Sequence, residues 1–189
     1  MTSNSEMSRE EKVARAFNLC VSFARNLAYY RVGRSEEYRQ LLDPARTDSA
    51  GFWLLANGNC LDMCVLEWCK LFADRTGTCD WRNIVTDSVG FAAGLLDYLA
   101  LDYCAFQKEV NTMREYRDKW VAHQDSNRQG FYPNLEVPKK SVWFYHAYVV
   151  SREASPKDLA GLPLDLDASY QEEEDKARAI YQRQVNGSA

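Results

Sequence analysis

The chain has 189 residues, a formal charge of -4, and 46% apolar and 13% aromatic side chains. That is ample for one packed domain, or one domain with a tail. The acidic balance excludes a broad basic surface of the kind that grips duplex nucleic acid. Its six cysteines (Cys20, Cys60, Cys64, Cys69, Cys79 and Cys104) form no CxxC pair, and two histidines are too few to complete a zinc site. Residues 1 to 11 are polar, without the apolar stretch of a leader, and no run reaches membrane-span length. These features predict a cytoplasmic protein with reduced thiols, no metal, no cofactor and no membrane contact.

Helical periodicity dominates the chain. Ser8 and Glu11 form a capping box that opens a helix with the apolar stripe Val13, Phe17, Cys20, Ala24 and Leu27. It is expected to run to about Arg31 and stop at Gly33. Ser35 then caps a short helix with Glu36 and Glu37 in its first turn, ended by Pro44. Residues 48 to 74 read as the most apolar helix, with Leu54, Leu61, Val65, Trp68 and Phe72 on one face and Leu55, Leu66 and Leu71 elsewhere around it. A helix apolar nearly all round is a central, buried one. Asn59 and Asp62 interrupt it, either as core polar partners or as groups that orient a site.

After a loop at 76 to 80, a short helix is expected from Trp81 to Val85 and another from Ser88 to Leu99. The next helix spans about Leu101 to His123. Leu99, Tyr103, Phe106, Val110, Met113 and Trp120 recur on one line, and Arg117 fills the gap in that series. An arginine on a core-facing line needs an anion, because an unpaired buried charge is very costly. The anion is either a neighbouring carboxylate, Asp62 or Glu67, or part of a ligand. Arginine clamps phosphate oxygens in bidentate fashion, and a histidine six residues on moves protons near neutral pH. His123 otherwise caps the last helical carbonyls. Arg114, Arg117, Lys119 and Arg128 make the motif locally basic.

Residues 125 to 140 read as a loop. Ser141 is expected to cap a helix from Val142 to Arg152, with His146 among aromatics as a packed residue. A linker begins near residue 154. A final helix from about Asp167 to Gln184 places Glu172 to Asp175 before Arg178 and Arg183, which complements the helix dipole.

Arg117-Asp118-Lys119-Trp120-Val121-Ala122-His123 resembles the signature of HEPN-like proteins, an arginine separated from a histidine by four to six residues; here five intervene. The form looks most like the abortive-infection branch. Val65-Leu66-Glu67-Trp68-Cys69-Lys70-Leu71-Phe72 is similar to a helix of that branch, and Trp81 sits where its following loop enters the next helix. The resemblance covers roughly residues 10 to 150. It implies an all-α, antiparallel HEPN-like helical bundle with extra short helices and a C-terminal helix. Residues 1–153 would form the bundle, and 154–189 a linker and helix packed on the same domain or on a partner chain.

The resemblance also implies metal-independent RNA cleavage by Arg117 and His123 across a homodimer, in a bacterial defence or toxin–antitoxin setting with an antitoxin or defence partner. In that reading His123 exchanges protons with the 2′-hydroxyl or the leaving oxygen, and Arg117 stabilises charge on the phosphate. Tyr116 and Trp120 are candidates to stack an unpaired base. Asp62, Asn59, Asp118 and Lys119 are candidates to bind substrate or orient the pair. The competing expectation is a non-catalytic helical module for dimerisation, nucleotide binding or protein binding.

Overall fold

The computed structural model describes residues 7–45, 48–121, 132–155, 157, 159 and 161–187. Among them the chain is all-helical, with no strand. Six α-helices follow in order: α1 Arg9–Arg34, α2 Ala50–Phe72, α3 Ser88–Leu99, α4 Tyr103–Tyr116, α5 Glu136–Tyr148 and α6 Leu166–Gly187. Short 3-10 turns cover Arg39–Leu42 and Trp81–Asn83, and single π-helical turns, Arg117–Val121 and Val149–Glu153, extend α4 and α5.

Helix starts follow local chemistry. The Ser8 hydroxyl accepts from the Glu11 amide at 3.2 Å while the Glu11 carboxylate accepts from the Ser8 amide at 2.7 Å. Asp87 and Asp102 cap α3 and α4 through the amides of Gly90 and Ala105. Two expected boundaries move. α1 passes through Gly33 and ends at Arg34. A Cβ on Gly33 would lie 2.4 Å from both the Tyr181 hydroxyl oxygen and Asn57 Nδ2, so this glycine lets α2 and α6 close on α1 rather than stopping it. Ser35 does not cap a following helix; its amide and hydroxyl both bond back to the Val32 carbonyl.

α5 begins five residues earlier than the expected cap at Ser141. Pro138 falls in its first turn, where no amide donor is needed. That frees the Ser141 hydroxyl, which donates to the Pro138 carbonyl at 2.9 Å and accepts the buried Trp68 indole N–H at 2.8 Å.

Helix α1 is the hub. It runs antiparallel to α2, pairing Tyr30 with Asn57, Phe23 with Cys64 and Ser22 with Glu67. Against α5 it is again antiparallel, with Arg31 on Glu136, Phe17 on His146 and Arg9 on Glu153. Trp68, Phe72, Phe91, Phe106 and Tyr145 form an edge-to-face aromatic centre. A second, smaller core joins Val32, Tyr38 and Leu41 to Ala177 and Tyr181 of α6. The acidic start of α6 is a solvated face laced by Lys176–Glu172, Lys176–Glu173 and Arg178–Glu174 pairs.

The expectation of a wholly buried α2 is corrected. Leu61, Val65, Trp68 and Phe72 are buried, but Phe52, Leu54, Leu55 and Met63 are exposed. Only one face of α2 meets α1 and α4, and its N-terminal half carries an open apolar face.

Candidate functional site

α4 crosses α2 where Phe106 packs on Trp68 and Phe72. At its C-terminal end the backbone leaves α geometry, and residues Arg117–Val121 form a π turn. Such wider turns recur at functional sites. From here the motif side chains diverge. The buried Tyr116 hydroxyl donates to Asp62 Oδ1 at 2.8 Å. Arg117 Nη1 donates to Asp74 Oδ1 at 2.6 Å, and its Nε to Asp118 Oδ1 at 2.9 Å. Asp62 lies within α2, whereas Asp74 lies just past its C-terminal end.

Arg117 is therefore inward-leaning and ion-paired, its side chain 20% exposed. Its partners are Asp74 and Asp118 rather than Asp62 or Glu67. Burial opposes the guanidinium charge, but hydrogen bonds to Asp118 and Asp74 outweigh it and push Arg117 above its ordinary value. Glu67 is committed elsewhere, accepting from Ser22 and Asn26. Burial raises its carboxyl above the usual range, and those two bonds only partly offset it.

His123 lies outside the described residues, so its geometry relative to Arg117 is not part of this site. Of the other expected residues, Asn59 is exposed on α2, not a core polar partner. The buried amide is Asn57, which donates to the Tyr30 carbonyl at 3.0 Å. Lys119 pairs with Glu115 one turn back. Trp120 is half-buried beside Tyr116.

Two hollows flank the motif. A cavity of about 260 Å³ is lined by Arg34, Leu54, Leu55, Gly58, Leu61, Tyr116, Trp120 and Tyr132. The Arg34 guanidinium stands over the Tyr132 ring at 5.0 Å and the Tyr30 ring at 6.0 Å. A smaller cleft of about 160 Å³ holds Arg15, Lys70, Asp74, Gly77, Thr78 and Cys79. Arg15, Lys70 and Arg114 are exposed around Asp74 and Arg117, so this corner is cationic within an acidic chain. The Asp74 corner escapes sequence periodicity because it reaches the motif only through the crossing of α4 over α2, and Arg34 because it comes from the end of α1 beside the N-terminal half of α2.

Among the described residues no three His, Cys, Asp or Glu side chains converge as a metal site. Burial pushes the thiols of Cys20 and Cys64 up, and that of Cys69 to about 12, so these are apolar core groups rather than nucleophiles. His146 is 2% exposed and tilted against Phe17 at 4.7 Å. Burial lowers its pKa despite a bond to the Pro163 carbonyl. Among the described residues, no single helix is long and apolar enough to cross a membrane.

No protein-family model matches the chain, and neither curated proteins nor solved structures give a match.

Proposed function

We propose that the chain is a HEPN-like protein that cuts single-stranded RNA without a metal, using Arg117 and His123 and acting as a homodimer in a defence or toxin–antitoxin setting. The supporting observation is Arg117. It is held by two carboxylates, kept fully charged, and set at the start of the turn that leads to His123. A guanidinium fixed on two sides retains further N–H donors for phosphate oxygens and meets developing negative charge without reorganising. Arg15, Lys70 and Arg114 supply a local path for the RNA backbone that the net charge of the chain conceals.

In this reading Arg117 neutralises charge on the scissile phosphate while His123 handles the proton of the 2′-hydroxyl or of the leaving oxygen. One histidine cannot be both base and acid in a single step, so two protomers share the work. Incubation with mixed single-stranded RNA in EDTA tests it. The expected result is cleavage leaving 2′,3′-cyclic phosphate ends, lost in His123→Ala and reduced at least 100-fold in Arg117→Ala. Intact RNA with the folded wild-type protein refutes it.

A second reading, a non-catalytic interaction module, is favoured by one observation: Phe52, Leu55 and Met63 leave an apolar stripe open along α2. It predicts a stable dimer or hetero-complex, broken by Leu55→Asp, with no cleavage under any condition.

A further inference from the structure

We infer that the two carboxylates on Arg117 divide its work: Asp74 is the positioning residue that fixes the guanidinium for a phosphate, and Asp118 is an internal competitor that the phosphate displaces. This division rests on the RNA reading above for the reaction it serves. It gives Asp74, which lies outside the motif, the supporting part, and the motif residue Asp118 an opposing one.

Only a group from another element can fix Arg117 against the bundle. Asp118 is the next residue on the same π turn, so its carboxylate travels with the turn. Asp74 comes from just past the end of α2. Its main chain is braced on both sides. The Asp74 amide donates to the Cys69 carbonyl at 2.9 Å, and the Asp74 carbonyl accepts from the Gly77 amide at 2.6 Å. Asn83 ties down the same turn, donating to the Arg75 carbonyl at 3.1 Å and the Gly77 carbonyl at 2.8 Å. A Cβ on Gly77 would lie 2.9 Å from the Asp74 carbonyl oxygen, so this glycine lets the turn close and sets the Asp74 carboxylate where Arg117 reaches it.

A planar guanidinium offers a bidentate anion two edges, Nε with Nη2 and Nη1 with Nη2. Asp118 accepts from Nε at 2.9 Å and Asp74 from Nη1 at 2.6 Å, so each edge already meets one carboxylate. Asp118 is the one that yields. Its side chain is 59% exposed against 36% for Asp74. Rotating it into water gives up one partly exposed ion pair, worth at most about fivefold in an equilibrium. The Nε edge then takes a phosphate in bidentate fashion while Asp74 keeps Nη1. With Asp118 turned away, Arg114 and Arg117 outnumber Asp74 beside the cleft that Arg15 and Lys70 line.

Removing either carboxylate deletes the same charge from the same guanidinium, yet the two effects differ in kind. Cleavage of a fluorogenic single-stranded RNA by the full-length chain in EDTA gives kcat and KM. Asp74→Ala should lower kcat about tenfold or more without raising KM. Asp74→Asn, which keeps an acceptor oxygen, should recover most of that loss. Asp118→Ala should lower KM about three- to fivefold and leave kcat within about twofold. Gly77→Ala, which removes no charge, should follow Asp74→Ala in direction.

Arg117 itself supplies a second readout, independent of turnover. Its Nε–Hε resonance, identified by its loss in Arg117→Lys, reports side-chain order through nitrogen relaxation and is titrated with inorganic phosphate. Order should fall in Asp74→Ala and Gly77→Ala and persist in Asp118→Ala. In Asp118→Ala, phosphate should shift the resonance at a concentration about three- to fivefold lower than in the wild type. Equal loss of order in the Asp74 and Asp118 variants, or a fall in kcat with Asp118→Ala, overturns the division. A chain that cuts no RNA in any form sinks the nuclease reading, and the order and phosphate data then decide on the division by themselves. Cleavage as fast in Asp74→Ala as in the wild type sinks the division and leaves the nuclease standing.

Discussion

At the scale of single residues, two backbone positions carry each other's ideal side chain. Gly58 sits inside α2 with open space where its Cβ would be. Ala100 ends α3 at φ 52°, the left-handed region that suits glycine. Gly58→Ala is expected to stabilise the fold by about 0.5–1 kcal/mol through helix propensity and a stiffer unfolded chain. Ala100→Gly should also gain, by less than about 1 kcal/mol, because relief of strain is offset by added unfolded-state entropy. Urea midpoints of the two variants check both signs; a loss at Gly58 would mean that the cavity wall is packed. His146 makes a pH prediction. Burial lowers its folded pKa below the ordinary 6.5, so between those two values the unfolded chain binds more protons than the native one. Stability is complete above about pH 6.5 and is lost as pH falls toward the folded value, then levels. The Glu67 and Asp80 carboxyls, raised by burial, titrate with the opposite sign, their folded forms gaining protons as pH falls toward 4. The His146 part is therefore read as a difference: thermal midpoints from pH 7.5 to 5 should fall more steeply for the native protein than for His146→Leu, and parallel curves would refute it.

At the scale of elements, the polar clasps decide which helix ends stay together. Glu153 closes the π turn after α5; its side chain is 2% exposed. It accepts from the Thr86 amide at 2.8 Å, the Thr86 hydroxyl at 2.8 Å and Arg9 at the start of α1. Glu153→Ala leaves these donors without their acceptor and should cost about 2–3 kcal/mol. Glu153→Gln keeps one acceptor oxygen but turns an amide NH2 toward a donor at the other, so it should recover only part of that loss. Equal losses in urea unfolding would show that the clasp needs both carboxylate oxygens. Elements of this kind explain what was legible in advance. The caps at Ser8 and Asp87 act within four residues, so α1 and α3 start where local chemistry puts them. Gly33 reads locally as a stop, yet it is held in helix by Asn57 and Tyr181, which arrive from α2 and α6. Arg117 was visible as a charge on a core-facing line, whereas its acceptor Asp74 was not, since no periodicity relates a residue beyond α2 to one at the end of α4. The exposed Phe52–Leu55 face was hidden for a related reason: composition shows how apolar a helix is, not how many sides of it are covered.

At the scale of the whole molecule, α1 is shared by both cores, and this bears on how residues 154–189 relate to the rest. The larger cluster uses Phe23, Ala24 and Leu27 of α1; the smaller uses Val32, five residues beyond Leu27, with Tyr38 and Leu41. Tyr181 of α6 closes the smaller cluster, packing on Trp53 at 4.9 Å and Tyr38 at 5.5 Å, and its hydroxyl meets Asn57. Because Asn57 also holds the Tyr30 carbonyl of α1, loss of α6 disturbs the α1–α2 seam itself rather than a separate appendage. Truncating Tyr181, 3% exposed, to alanine should therefore cost about 3–4 kcal/mol, the range for a buried aromatic. That is a large share of the 5–15 kcal/mol typical of a domain. The loss should appear as one shifted transition, with circular dichroism and tryptophan fluorescence coincident, since α6 carries no independent core. A variant in which helicity is lost in two steps, the first leaving the Trp68 environment intact, would instead make α6 a detachable unit.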